Sequence, residues 1–303
     1  MLRILPEVEA ALHDGRPVVA LESTVIAHGM PRPQNLEVAR SLRDQVRQVG
    51  VIPATVALVD GQISVGLDEV NLVRLAADEN VAKVSCRDLA TVLAEGRTGA
   101  TTVAATMRCA HLAGIPIMAT GGIGGVHRGG QDSFDISADL TELGRTPVAV
   151  VCSGAKSILD LPRTVEVLET LGVPVIGMGT DHFPAFFCRG SRQRVDARCD
   201  SPEEIAKILA LHFALPAAGG VVVAQAVPDA HALDEAKIEE AILAAMEQAQ
   251  RAGILGKALT PFLLAALVQA TEGKSLKSNI ALLEANAGLA ARIAKEGAAQ
   301  RGG

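Results

Sequence analysis

The sequence has very few aromatic residues: it contains no tryptophan, no tyrosine and only six phenylalanines in 303 residues. Proteins that bind single-stranded nucleic acid usually stack the bases on aromatic rings, so this composition argues against that function. Basic residues are outnumbered, 28 against 34 acidic ones, and the net charge of −6 excludes an overall basic surface for nucleic acid or an anionic membrane. A local anion site remains compatible with this charge.

Paired cysteines and long apolar segments are absent as well. The five cysteines, an odd number without a C-x-x-C pair, match neither a disulfide framework nor a zinc site, and they favour a reducing compartment. The most apolar stretch near the C-terminus, residues 258–270, is too short to span a bilayer. Pro6, Glu7 and Glu9 interrupt the N-terminal segment, which lacks the apolar core of a signal peptide. These features predict a cytoplasmic protein without a membrane partner.

Short β-branched runs alternate with longer amphipathic stretches, a pattern typical of an α/β fold. The predicted strands cover residues 17–21, 54–61, 81–85, 115–120, 133–140, 147–154, 173–179 and 220–225. The predicted helices cover residues 35–49, 68–79, 101–113, 157–171, 201–211, 234–252 and 261–296. We expect a central, mostly parallel or mixed sheet flanked by helices.

No Gly/Ser-rich or Pro-rich linker divides the chain, so we predict a single α/β domain over residues 1–303. Its C-terminal part, from about residue 232 to 303, reads as almost wholly helical. We expect these helices to pack over the sheet. The alternative is a separate helical domain.

Polar and apolar residues alternate along 133–140. In a strand, Asp135, Ser137 and Asp139 would share one face. Two carboxylates and a hydroxyl in a row are suited to a hard cation such as Mg²⁺ or Mn²⁺, or to a sugar hydroxyl. The alternative is an edge strand whose polar face is solvated.

A glycine-rich loop, residues 121–125, precedes this segment, with His127 beside it. Glycines let the backbone approach a ligand closely and turn its amides toward an anion. The loop lacks the last glycine of the dinucleotide fingerprint G-x-G-x-x-G, which excludes a nicotinamide site of that kind. We expect the loop to face a ligand. His127 is then either a site residue or a structural one.

Two ionisable residues follow apolar strands. Lys156 comes after 147–154 and Glu22 comes after 18–21, and the carboxyl ends of strands are where α/β folds place their sites. A desolvated lysine supplies the free amine for Schiff-base chemistry, and a carboxyl group in an apolar setting can act as a proton donor. The alternatives are a surface lysine and a solvated strand end.

An anion site is indicated by two further segments. Lys83 is unusual within the apolar strand 81–85, which suggests a paired or anion-facing charge. Residues 99–103 open a helix whose first-turn amides form a seat for phosphate, unless they are an ordinary helix cap.

Taken together, these segments resemble the pseudouridine-5′-phosphate glycosidase family, which includes proteins named for indigoidine biosynthesis. The resemblance extends from about Val18 to Lys295. It is densest in eight segments that occur in order: 20–31, 81–89, 99–107, 118–129, 133–140, 151–161, 260–264 and 278–283.

The resemblance implies reversible cleavage of the C–C glycosidic bond of pseudouridine 5′-phosphate to uracil and ribose 5-phosphate. It implies that Lys156 forms an imine with the sugar C1′, that Glu22 is the proton donor, and that Asp135 binds one Mn²⁺ per subunit. It also implies substrate contacts from a further set of residues: Lys83, Val103, His127, Ser137, Ala138, Asp139 and Asn279. The implied assembly is a homotrimer.

Some positions depart from the family pattern. His182 and Phe187 stand where the family commonly has glutamate and tyrosine, the stretch 188–199 matches poorly, and Gln225-Ala226 replaces an Asn-Pro pair. These departures put base recognition in question. Two alternatives therefore stay open at this point: another Schiff-base sugar-phosphate lyase, and a catalytically silent phosphosugar-binding protein of the same fold.

Overall fold

The computed structural model describes residues 1–254 and 256–302. Within these residues the strands are β1 (Leu2–Ile4), β2 (Val18–Leu21), β3 (Ile52–Val59), β4 (Gln62–Val65), β5 (Ala82–Val84), β6 (Gly99–Thr101), β7 (Ile117–Ala119), β8 (Ala149–Cys152), β9 (Val175–Met178), β10 (Ala197–Cys199) and β11 (Val221–Gln225). The α-helices are α1 (Pro6–His13), α2 (Gln34–Gln48), α3 (Glu69–Ala77), α4 (Leu89–Ala94), α5 (Val103–Leu112), α6 (Gly130–Ser133), α7 (Ala138–Leu143), α8 (Leu161–Thr170), α9 (Pro202–Ala214), α10 (Glu235–Arg251), α11 (Leu259–Ala270) and α12 (Lys274–Gly302).

The strands form one mixed sheet in the order β1-β4-β3-β2-β7-β8-β11-β9-β10, with β6 paired to β3 and β5 paired to β6. From β3 through β10 every neighbouring pair is parallel. The antiparallel pairs are those of β3 with β4 and with β6. The predicted α/β fold with a mostly parallel or mixed sheet is confirmed.

The parallel strands are apolar on both faces because helices cover both faces of the sheet. Every residue of β2 and β8 is buried. The long helix α12 packs against β2, β7 and β8 and also contacts α2 and α9. The C-terminal helix α12 thus lies on the sheet, as expected, whereas α10 and α11 pack against each other.

The strand predicted over 133–140 is wrong. Residues 130–133 form the short helix α6, Phe134 adopts a left-handed backbone with φ of 54°, and α7 begins at Ala138. The Ser137 side chain accepts a hydrogen bond from the Asp139 N–H and so caps α7. A capping serine followed by an acidic residue is also a helix-start signal, and here it overrides the two-residue alternation.

Other boundaries differ from the prediction for identifiable reasons. The helix predicted over 261–296 is two helices, α11 and α12, because the chain turns at Glu272 and Gly273 with φ of 51° and 80°. The helix predicted from residue 157 begins only at Leu161, where Asp160 accepts a hydrogen bond from the Arg163 N–H. Residues 99–101 form β6, and the helix begins at Val103.

None of the helices within residues 1–254 and 256–302 combines the length and the apolarity needed to cross a bilayer.

We expect the packing of α12 on the sheet to contribute strongly to stability. Leu289 on α12 is fully buried, so Leu289→Ala should lower the free energy of unfolding by about 2–5 kcal/mol, the usual cost of such a truncation. Leu243→Ala on α10, where half of the leucine is exposed, is the matched control and should change it far less. Chemical denaturation measures both, and equal losses would contradict the packing described.

Candidate active site

Three parallel strands end at the same edge of the sheet and deliver the central residues of one cavity. Glu22 directly follows β2, the loop 121–125 follows β7, and Lys156 comes four residues after β8. The strands lie side by side in the order β2-β7-β8. Their carboxyl ends therefore open together, at the position where α/β sheets usually bind ligands.

The cavity has a volume of about 320 Å³ and is large enough for a small phosphorylated ligand. All ten residues that the sequence predicted for the site lie on its wall: Glu22, Lys83, Val103, His127, Asp135, Ser137, Ala138, Asp139, Lys156 and Asn279. The structure thus brings together residues from strand ends, helix starts and α12 that are distant in sequence.

Sequence reasoning missed several residues of the same wall: Thr24, His28, Ser85, Arg87, Phe186, Thr260, Pro261 and Leu264. Most of them lie inside the segments that carry the family resemblance. Their position in those segments was the available signal, but their residue types alone did not distinguish them from ordinary cap or core residues.

Glu22 is a buried carboxyl group among apolar strands. The Thr120 hydroxyl donates a hydrogen bond to its Oε1. Burial raises the pKa of Glu22 above its ordinary value, and the Asp139 charge adds to this, while Lys156, the Thr120 hydrogen bond and Lys83 act in the opposite direction. Glu22 therefore keeps its proton to a higher pH than an exposed glutamate, as a proton donor requires.

Lys156 reaches the cavity through a tight turn. Gly154 has a φ of +71°, and a Cβ there would lie 2.0 Å from the Pro184 carbonyl oxygen, so only glycine fits. The Lys156 Nζ donates a hydrogen bond of 2.9 Å to the Gly122 carbonyl. The amine is thus held against the glycine-rich loop and beside Glu22, whose carboxyl group experiences its charge.

Asp139 has a structural position different from the predicted one, because it lies in the first turn of α7 and not on a strand. Its Oδ1 accepts the N–H of Ala104 at 2.9 Å, and its Oδ2 accepts the N–H of Gly124 at 2.8 Å. A Cβ on Gly124 would lie 2.2 Å from the Ser137 Oγ. The buried carboxylate therefore joins the glycine-rich loop to the start of α5.

Two helix N-termini line the cavity and form the candidate anion seat. Val103 is the first residue of α5, and Ser137 is the N-cap of α7. Lys83 on β5 lies next to β6, the strand that leads into α5. Helix N-termini with a nearby ammonium group favour a phosphate.

His127 and Asp135 form a pair on the cavity wall, with 4.0 Å between His127 Nδ1 and Asp135 Oδ2. Burial lowers the pKa of His127, Asp135 raises it, and the charges of Lys156 and Lys83 lower it further. The imidazole is therefore neutral near pH 7, where it offers one donor and one acceptor nitrogen.

The same wall carries carboxylates that could hold a metal ion. In the described part of the chain, no three His, Cys, Asp or Glu side chains come together as a metal cage. Both oxygens of Asp139 accept backbone amides, so Asp135, with 42% of its side chain exposed, is the carboxylate available to a cation. This donor set fits a hard cation that keeps most of its water, such as Mn²⁺ or Mg²⁺.

The departures from the family pattern lie away from this cavity. Among the described residues that line it, none belongs to 181–185, 187–199 or 225–226. Phe187 is buried in the core next to Phe186, which does face the cavity. Part of the poorly matching stretch, 188 and 191–193, lines a second cavity of about 490 Å³.

Comparison with known proteins gives a consistent result. The sequence profile described as "Indigoidine synthase A like protein" matches residues 7–296. The chain is 56% identical over 288 residues to a pseudouridine-5′-phosphate glycosidase of Caldanaerobacter subterraneus subsp. tengcongensis, covering 95% of this chain and 94% of that protein. It is 53% identical over 288 residues to the enzyme of the same name from Staphylococcus aureus, again covering 95% and 94%.

Solved structures are similar over the whole chain. The crystal structure of the prealnumycin C-glycosynthase AlnA in complex with ribulose 5-phosphate has a TM-score of 0.92 and 39% identity, and covers 100% of this chain and 98% of its own. An indigoidine synthase A-like protein from Thermotoga maritima has a TM-score of 0.88 and 37% identity, with coverages of 97% and 95%.

The burial of Glu22 predicts a pH-dependent stability difference. Because its pKa is raised in the folded state, the stability it contributes is fully present below the unfolded pKa and is lost as pH rises through the folded pKa. Glu22→Gln should therefore gain in thermal midpoint relative to the wild type as pH rises above about 4.5. Calorimetry at a series of pH values measures this, with Glu166→Gln on the exposed face of α8 as the control. A difference that does not change with pH would contradict the assignment.

Proposed function

Because the chain belongs to the family of indigoidine synthase A-like proteins, we propose that it is a pseudouridine-5′-phosphate glycosidase. It catalyses the reversible reaction of pseudouridine 5′-phosphate with water to give uracil and ribose 5-phosphate. One observation carries the proposal: a buried acid, Glu22, and an amine, Lys156, line the same cavity as an anion seat. The ribulose 5-phosphate bound to AlnA supports a sugar phosphate as the ligand class.

The carbon–carbon bond explains why this site needs an amine. A glycosidase for ordinary sugars places two carboxylates around an oxocarbenium ion and expels an oxygen leaving group. Carbon-5 of uracil cannot depart as a free carbanion, so it must take up a proton as the bond breaks, and C1′ must receive electrons from a neighbouring atom. A lysine that forms a covalent intermediate divides this difficult step into easier ones.

The reaction begins with opening of the ribose ring. Glu22 transfers its proton to the ring oxygen, the bond from that oxygen to C1′ breaks, and the Lys156 amine forms a bond to C1′. Because burial raises the pKa of Glu22, the carboxyl group carries the proton that this step consumes. The Gly122 carbonyl, 2.9 Å from Nζ, orients the amine.

Uracil departs in the second stage. The Lys156 nitrogen, which became a secondary ammonium on bonding to C1′, first loses a proton. Its lone pair then forms the C=N bond of a protonated imine while the bond from C1′ to uracil C5 breaks, and C5 takes up the proton that the nitrogen released. Water then adds to the imine and releases ribose 5-phosphate and the free amine. Each stage avoids an unstabilised carbanion.

The remaining wall residues bind and orient the substrate. The phosphate lies at the N-termini of α5 and α7, where Lys83, Val103 and the segment Ser137-Ala138-Asp139 line the cavity. The Asp139 carboxylate does not contact it, because both of its oxygens accept the N–H groups of Ala104 and Gly124. His127 and Asn279 face the same cavity and supply neutral hydrogen-bonding groups to the sugar and the base. Binding energy from the remote phosphate positions C1′ against the amine.

We include one Mn²⁺ per subunit in the proposal, held by Asp135 and otherwise by water. The cation, when bound, supplies positive charge and an ordered water shell at this wall. The chain would form a homotrimer in the cytoplasm, as the resemblance implies, and sedimentation velocity would measure the assembly.

The central experiment incubates the protein with pseudouridine 5′-phosphate and Mn²⁺ and measures uracil and ribose 5-phosphate. We expect both products, and borohydride reduction with ribose 5-phosphate should add one reduced sugar phosphate to Lys156. Lys156→Arg keeps the charge but lacks a usable free amine, so it should lose both the products and the adduct.

Lys207→Arg, on the exposed side of α9, makes the same substitution away from the cavity and should retain full activity. Peptide mass analysis locates the adduct. No uracil from the wild type would reject the proposed function, and an adduct found mainly on Lys83 would reject the assigned nucleophile.

A second prediction concerns the cation. Asp135→Ala should weaken Mn²⁺ binding, measured from the free Mn²⁺ signal in electron paramagnetic resonance, and should lower uracil release. Asp132→Ala, an exposed carboxylate on the neighbouring α6, should leave both unchanged. Unchanged Mn²⁺ affinity in Asp135→Ala would show that the cation binds elsewhere.

A further inference from the structure

Thr120, Asn286 and Ser153 form a buried hydrogen-bonded network that contacts Glu22. None of these three residues has a role in the reaction described above. Thr120 directly follows β7 and is buried, with its N–H donating to the Val151 carbonyl at 3.0 Å. Its hydroxyl donates to Glu22 Oε1. Thr120 is therefore the residue through which the end of β7 contacts the proton donor.

The Thr120 backbone is itself held by an asparagine from the C-terminal helix. Asn286 on α12 is completely buried, and its Nδ2 donates to the Thr120 carbonyl at 2.9 Å. The same amide lies 3.2 Å from the Ser153 Oγ, just after β8. A buried amide is costly unless it is hydrogen-bonded, and here its partners are the ends of the two strands that carry the site.

We propose that Thr120 is a positioning residue for Glu22: its hydroxyl fixes one carboxyl oxygen, so that the other presents the reactive proton to the substrate. This inference rests on the proposed function, in which Glu22 is the acid. The hydroxyl gives its hydrogen to Oε1, so in the protonated acid the proton resides on Oε2. A carboxyl group without this partner would distribute the proton over both oxygens and several orientations.

The hydrogen bond also tunes the acid. The charged groups that act on Glu22 are Lys156, Asp139 and Lys83, and burial is the largest effect on its pKa. The Thr120 hydroxyl stabilises the carboxylate that remains after proton transfer and so lowers the pKa of Glu22 against the effect of burial. An acid that gives its proton to the ring oxygen needs this stabilisation of its conjugate base.

The test replaces Thr120 with valine, which keeps the shape and removes the hydroxyl. We expect the plateau of kcat for uracil release to fall by about tenfold or more, a part of the roughly 10²–10⁴-fold that a positioned acid supplies. The midpoint of the high-pH limb should move to higher pH, because the pKa of Glu22 rises when the hydrogen bond is lost. Thr120→Ser retains a hydroxyl and should restore most of the rate and the wild-type midpoint.

Two further measurements separate positioning from folding. Thr120→Val should still form the borohydride-reduced adduct on Lys156, because the open-chain aldehyde of ribose 5-phosphate reacts with the amine without ring opening by Glu22. Thr170→Val at the exposed end of α8 is the matched control and should leave kcat and the pH profile unchanged.

The outcomes distinguish this inference from the proposed function. A wild-type protein that releases no uracil rejects the function itself. An active wild type together with a Thr120→Val variant of unchanged rate and pH profile rejects the positioning role. Loss of the Lys156 adduct in Thr120→Val, or failure of Thr120→Ser to recover the midpoint, would assign Thr120 a structural role and overturn the inference as well.

Discussion

The buried carboxylate of Asp139 is the interaction on which the site depends. Its two oxygens accept the N–H groups of Ala104 and Gly124, and so one side chain fixes the start of α5 relative to the glycine-rich loop. The loop in turn holds the Lys156 amine through the Gly122 carbonyl. Charge-assisted hydrogen bonds of this kind are about twice as strong as neutral ones, so the anion seat and the amine keep a constant separation.

The electrostatics of the cavity follow from the side-chain positions that these hydrogen bonds fix. Burial favours the uncharged form of Glu22 and of His127, while Lys156 and Lys83 bring positive charge toward both. A phosphorylated ligand adds negative charge at the helix N-termini and thereby compensates the lysines. The cavity thus combines a buried acid of raised pKa with two lysines, although the chain as a whole is acidic.

Sequence reasoning predicted the fold class and the family, and the comparisons confirm both. It also placed Glu22 and Lys156 after apolar strands and Lys83 within one, because a single ionisable residue in or beyond an apolar run is a strong local signal. It was wrong about 133–140: the alternation there resembles a strand, but Ser137 caps a helix. The difference between the two readings depends on the tertiary partners of Asp139, the distant amides of Ala104 and Gly124, which no local pattern contains. The chemical roles assigned to the site residues stay predictions.

The glycine packing around the loops has a consequence for enzyme redesign. A Cβ at Gly122, Gly124 or Gly125 would lie within 2.6 Å of a neighbouring side chain. A Cβ at Gly154 would lie within 2.6 Å of the Pro184 backbone. These four positions leave no space for an added side chain. Thr260, Pro261 and Leu264 of α11 also line the cavity, and they belong to a helix and not to a strand end. Libraries aimed at other C-nucleotides should therefore vary α11 and leave the glycines intact.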